Sequence, residues 1–354
     1  MKLKKPTFKK PSFPRRKNAS VEDANSGLPR ITNDTVAAHR EEVLSSARKY
    51  IYPLQHSKHR IVKISVTLFI AAIVGFSAYI GLALYKFQTT NTFVYGVTQV
   101  LPLPVAKAGS SYVSYNSYLF ELRHYIHYYE TQQQVDFSGK SGKAQLQDLK
   151  QRSLKKVIDV AYTKQLAKKN NVTVSSKEID NEIALVRAQN RLGSNNQVFM
   201  DVLREFWGWS VTDFKRELRD ELLQQKVVNK LDSATHDRAN TAYAQLQQGA
   251  DFAAVAKQNS QDVATSGSGG VYPVAIDRSN RDIPPQLIEA LFGLQPGQYS
   301  SVINTGYSLE IIKLIQLDNG KAQTAHISFN FNDISKYTDE LQANSKPKRF
   351  ISVQ

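Results

Sequence analysis

The 354-residue chain changes its pattern of apolar and polar positions three times. Ile64 to Tyr85 (ISVTLFIAAIVGFSAYIGLALY) holds no charged residue and lies between Lys63 and Lys86. At about 1.5 Å of rise per residue this stretch reaches roughly 33 Å, enough for a bilayer core of about 30 Å. The pattern predicts a single membrane-spanning helix. From about 113 to 235 the apolar positions recur at helical spacing: Leu146, Leu149, Leu154, Val157 and Ala161 share one face, and Ile179, Ile183 and Val186 follow at i, i+4 and i+7. Ser175 with Glu178 has the spacing of a capping box, and Ser210 opens a helix that turns Phe214, Leu218 and Leu222 inward. Near the end the period shortens. Ile311, Ile312, Leu314 and Ile315 form one strand-like run and Ala325 to Phe331 a second, joined by Asp318-Asn319-Gly320. Those turn residues accept the positive φ angles of a two-residue hairpin.

Between these regimes, residues 87–105 carry two prolines and no helical period, and read as a linker. Ahead of the apolar stretch, Asp34 is placed to cap a helix carrying Val36, Val43, Leu44 and Ala47, which ends before Pro53 and is expected along the inner leaflet.

Charge refines this picture. Residues 1–63 hold 15 Lys/Arg against 5 Asp/Glu, a net of +10 out of the chain's +15. This is a basic tail on an ordinary body, which argues against nucleic acid as the partner of the whole chain. The tail's repeat KKPTFKKPSF is suited to an acidic lipid surface or RNA, or simply to supporting topology as a solvated basic tail. After Lys86 the next basic residue is Lys107, so the positive-inside rule puts the N-terminus in the cytoplasm and the C-terminal part outside. There is no cysteine, hence no disulfide framework and no thiol nucleophile. His124 and His127 stand at i, i+3 but no third ligand accompanies them, so a metal site is not expected, nor any cofactor.

AYTKQLAKKNNVTVSSKEIDNEI and, about 20 residues later, FWGWSVTDFKRELRDELLQQKVV resemble the N-terminal helical domain of SurA-like and PrsA-like extracytoplasmic chaperones. A second resemblance covers residues 237 to 317. TAYAQLQQGADFAAVAKQNSQD, the pair Gly269-Gly270, IPPQLIEALFGLQPGQYSSVINTGY and EIIKL are similar to parvulin-type peptidyl-prolyl isomerases. In that segment Pro284 is expected at a helix N1 and Gly293 at its C-cap. Together these imply an α+β fold with six segments. They are a cytoplasmic tail (1–62), a transmembrane helix (63–86), the linker (87–105), a helical chaperone domain (106–236), a parvulin-like domain with an antiparallel sheet (237–331) and a C-terminal helix or tail (332–354).

The family's chemistry needs no covalent intermediate, only an apolar cup for proline and placed polar groups that favour the twisted amide. The resemblance assigns the cup to Ile283, Leu287 and Phe292, with Thr305 before the last strand, and a polar site position to Asp262. Two positions depart from the family: Glu310 stands where the last strand carries histidine, and Val271-Tyr272-Pro273 replaces Gly-Asp-Leu-Gly. The family's first strand, with its His-Ile, has no counterpart before the first helix, whereas Ala325-His326-Ile327 lies beyond the hairpin turn. One reading is a circularly permuted parvulin-like domain in which His326 supplies the first-strand histidine; the other is a second parvulin unit cut short. The expected function is isomerisation of X-Pro bonds in exported, unfolded polypeptides together with chaperoning. A holdase with a degenerate isomerase domain, and a tether acting through the basic tail, are the alternatives.

Overall fold

A computed structural model describes residues 32–51, 53–188 and 195–353; the repeat KKPTFKKPSF lies outside them. The chain divides into two compact units, Met1–Ala78 and Tyr79–Gln354. The first contains α1 (Asn33–Ile51) and most of α2 (Pro53–Gly81), which continues into a π-helical turn at Leu82–Lys86. The stretch His59–Lys86 is long and apolar enough to cross a membrane. Phe69, Ile70 and Val74 are exposed, as lipid-facing side chains would be. Val36, Val43 and Leu44 of α1 are also exposed.

The second unit opens with α3 (Thr92–Val100), β1 (Pro104–Ala108), β2 (Ser111–Ser114), α4 (Tyr115–Gln132) and α5 (Lys140–Lys169). Next come α6 (Ser176–Ala188), α7 (Asn196–Trp207), α8 (Val211–Leu231), α9 (Ser233–Gln247) and α10 (Phe252–Asn259). It closes with β3 (Ile276–Asp277), α11 (Pro285–Gly293), β4 (Ile303–Asn304), β5 (Ser308–Asp318), β6 (Lys321–Asn330), α12 (Ser335–Asn344) and β7 (Lys348–Arg349). This is an α+β chain with antiparallel sheets.

The segment expected as a linker is instead built into the helical core. Asn91 caps α3 by accepting from the Val94 amide at 2.8 Å, and Val94 is wholly buried. A nine-residue helix is too short to show a period in sequence. Around it pack Ile80, Ala83 and Leu84 from the end of the long helix with Tyr115, Tyr118, Leu119, Leu149 and Leu154. The Tyr115 hydroxyl donates to the Leu84 carbonyl at 2.6 Å, so the buried phenol is satisfied. The C-terminus returns to this same core. β7 pairs with β1 to give the order β2-β1-β7, α12 packs on α5, and Ile351 is buried. Both capping boxes form: Ser175 with Glu178, and Ser210 with Asp213.

The second sheet has the order β3-β6-β5-β4. β5 and β6 form the expected hairpin, with Asp318 opposite Lys321 and φ of 49° and 77° at Asn319 and Gly320. Leu309, Ile311, Ala325, Ile327 and Phe329 face α9 and α10. Ile312, Leu314 and Ala322 face the other way, onto α11. That helix begins one residue later than expected: Pro284 is the N-cap, Pro285 occupies N1, and Leu294 is the C-cap. The outer side of β6 is covered by residues 260–272. The His326 amide donates to Gly270 O at 2.9 Å and the Gln261 amide to Ser328 O at 2.8 Å.

Candidate active site on the second sheet

The register decides what meets on the α11 face. Glu310 pairs with Ser328 and Ile312 with His326, so Glu310 and His326 are diagonal neighbours on one face. Their side chains meet, Glu310 Oε2 lying 3.0 Å from His326 Nδ1. On the opposite edge of the ring, Asp262 Oδ2 lies 2.7 Å from Nε2. Asp262 reaches it because residues 260–272 run along β6.

Hydroxyls complete the arrangement. The Thr265 hydroxyl donates to Asp262 Oδ2 at 2.5 Å and lies 3.0 Å from His326 Nε2. Ser308 and Ser328 both donate to Glu310 Oε1, at 2.8 and 2.7 Å. Thr305 continues the chain, its hydroxyl 2.9 Å from that of Ser308. A hydrogen-bonded relay therefore runs Thr305–Ser308–Glu310–His326–Asp262. Its middle is buried, with His326 and Glu310 each 6% exposed. The Asp262 carboxylate is the more open end, its side chain 27% exposed.

Burial alone would hold the His326 imidazole neutral. Hydrogen bonds and charge from Glu310, then from Asp262, outweigh it, and the pKa lies above the usual histidine value. For Asp262, burial pushes upward, but the Thr265 and His326 hydrogen bonds hold the carboxyl below its usual range. The sign of the pH dependence follows. Stabilisation from His326 is complete below about pH 6.5 and is lost as pH rises through its raised pKa. That from Asp262 is present above about pH 4 and is lost as pH falls through its depressed pKa. The β5–β6 ladder is therefore expected to be most protected between about pH 4 and 6.5 and to weaken as pH rises past 6.5. Hydrogen exchange at the Ile311 and Ile327 amides measures this locally; protection that grows from pH 6 to 8 would contradict it. A global melt would mix in Glu121. Burial and the Glu217 charge, opposed by Lys156, hold that carboxyl at about 7.

The apolar positions divide. Ile283 and Leu287 are buried in the cluster with Leu291, Ile312 and Leu314, and Phe292 packs at its margin beneath the Arg278 guanidinium, 4.7 Å from the ring centre. Thr305 and Ile283 also line a cleft of about 590 Å³ whose other wall is Trp207, Trp209 and Phe214. Leu287 does not reach that cleft. Sequence reasoning missed Tyr272, which joins the two regions. Its hydroxyl is 3.2 Å from His326 Nδ1, its ring lies 4.5 Å from the imidazole, and it packs on the Ile283 cluster. His124 and His127 do structural work, their rings lying within hydrogen-bonding distance of the carbonyls of Trp207 and Glu205 at the end of α7.

The chain is similar to several known proteins. Foldase protein PrsA of Caldanaerobacter subterraneus subsp. tengcongensis is 29% identical over 185 residues, 49% of this chain and 58% of that protein. Chaperone SurA of Methylobacillus flagellatus is 28% identical over 181 residues, 50% of this chain and 36% of that one. Periplasmic chaperone PpiD of Haemophilus influenzae is 34% identical over 119 residues, 32% of this chain and 19% of that one. The chain thus spans less than two thirds of the length of each of these relatives. Residues 54–228 match the SurA-like N-terminal domain and residues 222–316 the PPIC-type PPIase domain, a match that ends before β6 begins. The chain carries a SurA-like N-terminal domain followed by a PPIC-type peptidyl-prolyl isomerase domain.

Proposed function

We propose that this chain is a membrane-anchored foldase that isomerises X-Pro bonds in exported polypeptides and shields unfolded segments, its N-terminus cytoplasmic and its second unit outside. The observation that carries the isomerase reading is the Thr305–Ser308–Glu310–His326–Asp262 relay on the sheet face that also bears the Ile283, Leu287 and Leu291 cluster. Planar amide resonance puts partial negative charge on the carbonyl oxygen, and twisting removes it. The Asp262 carboxylate disfavours that charge and so favours the twisted state. Glu310 and His326 act as positioning residues, holding Asp262 in place and charged, while Ile283 and Phe292 cup the proline ring.

The domain is read as circularly permuted. Its second central strand, β6, lies beyond the matched segment and fills the place next to β5 that the family's first strand takes. The expected outcome is that full-length protein in detergent accelerates cis-to-trans exchange of an X-Pro peptide, and that Asp262→Asn lowers kcat/KM by about tenfold or more. Folded protein that gives no acceleration would sink the isomerase assignment. A chaperone without turnover is the second reading, favoured by the burial of Leu287 and His326 while a separate cleft of about 590 Å³ opens on the helical side.

A further inference from the structure

The cleft of about 590 Å³ lies where α6, the α7–α8 turn and α8 face the loop before α11 and the loop before β5. Its aromatic wall is a stack. Phe120 lies on Trp209 at 5.7 Å and 4°, Trp209 on Trp207 at 5.9 Å, and Trp207 on Tyr128 at 5.8 Å and 17°. Opposite stand Ile283, Pro284, Pro285 and Tyr307, whose ring is largely exposed. Such a wall holds apolar side chains and fixes little else.

Most of the charged side chains in the lining are acidic. Glu182, Glu217, Glu221 and Asp282 all face the cleft. Glu217 is neutralised by Lys156, which it meets at 2.6 Å, and Lys156 also pairs with Glu121. Lys156 and Arg281 line the cleft as well, so its four carboxylates outnumber its two cations. Glu221 takes only a neutral hydrogen bond, from the Tyr307 hydroxyl. Burial and then the charge of Glu221 raise the Glu182 pKa, as expected of two neighbouring carboxylates. An apolar client segment leaves that repulsion in place, whereas one bearing a lysine or arginine relieves it.

We infer that the cleft selects, among unfolded segments, those in which a lysine or arginine stands beside an apolar or aromatic residue. The apolar side chain lies on the tryptophan wall and the cation between Glu182 and Glu221. This rests on the reading above that the chain binds unfolded polypeptides, and it adds the class of segment taken.

The chain's two tryptophans are both in this wall, so selectively excited tryptophan emission reports on the cleft. The test titrates full-length protein in detergent with three unstructured peptides of equal length and equal apolar content, bearing charges of about +3, 0 and −3. The cationic peptide is expected to bind about tenfold tighter than the neutral one at low salt, and the anionic one more weakly than either. In about 0.5 M salt the advantage falls to a few-fold. Glu182→Gln with Glu221→Gln brings the cationic peptide to the affinity of the neutral one, while an unchanged emission maximum of the free protein establishes that the variant is folded. Equal affinity for all three peptides overturns the charge selectivity and leaves client binding intact. A fluorescence signal with none of them overturns client binding at this cleft, and the inference with it.

Discussion

His326→Ala is expected to lower the stability of the second sheet by about 3–5 kcal/mol, the cost of removing one partner from a buried charged network. The imidazole is the group that lies between Asp262 and Glu310, at 2.7 and 3.0 Å. Without it, Glu310 stays buried with two serine hydroxyls on one oxygen and the Tyr272 phenol near the space left behind. Hydroxyl donors do not replace a cation in a low-dielectric site. Because the His326 stabilisation is complete below about pH 6.5 and fades as pH rises through its raised pKa, the deficit against the parent protein should be larger at about pH 5.5 than at about pH 8.5. Glu310→Gln should cost less than His326→Ala, since its amide oxygen still accepts from the ring and no carboxylate is left stranded. Hydrogen exchange at the β5 and β6 amides, taken to the global limit, reads all three quantities. A His326→Ala loss under about 1 kcal/mol, with no pH trend, would show that the network does not hold the sheet together.

The parts of this site differ in how far the sequence revealed them, for physical reasons. The hairpin was legible because Asn319-Gly320 is among the few pairs that take two positive φ angles at little cost, and strand-like apolar runs flank it. That Glu310 and His326 share a face was not, because a one-residue slip turns a strand over and nothing local fixes the register. What fixes it here is tertiary: Ile327 and Phe329 must meet the α9–α10 surface, and His326 then points to the α11 face. Thr265, Ser308 and Ser328 carried no signal, since a hydroxyl becomes part of a network only through its neighbours. Tyr272 did carry one, as an aromatic two residues after the paired glycines where the resemblance expects small and acidic residues. The return of β7 to β1 was illegible for a plainer reason, a two-residue strand being shorter than any period. The proposed cup positions are apolar in the sequence itself, but sequence could not say that Leu287 is buried and does not line the cleft.

The paired glycines give the second large effect, because they let residues 260–272 lie flat on β6. Gly269 and Gly270 have φ of 75° and 83°. A Cβ on Gly270 would stand 2.2 Å from the His326 carbonyl oxygen and 3.2 Å from Ala256 Cβ. The first contact is with backbone in a central strand, so no rotamer change relieves it. Gly270→Ala therefore combines the left-handed penalty of about 1–2 kcal/mol with an overpacking cost of about 1–3 kcal/mol. The segment must lift, which breaks the His326 amide bond to Gly270 O and draws Asp262 away from the ring. Two readouts should move together: protection of the β6 amides falls, and the His326 pKa, followed by NMR, drops toward its usual value as one carboxylate departs. Gly297→Ala separates the two causes. That glycine has φ of 89° with nothing within 4 Å of the added carbon, so it should show the conformational cost alone and leave His326 unmoved. If both substitutions leave His326 titrating as in the parent, residues 260–272 do not depend on Gly270 for their position. If Gly270→Ala alone shifts it, the absence of a side chain at Gly270 is what brings an aspartate from one segment and a histidine from a strand far along the chain to within 2.7 Å.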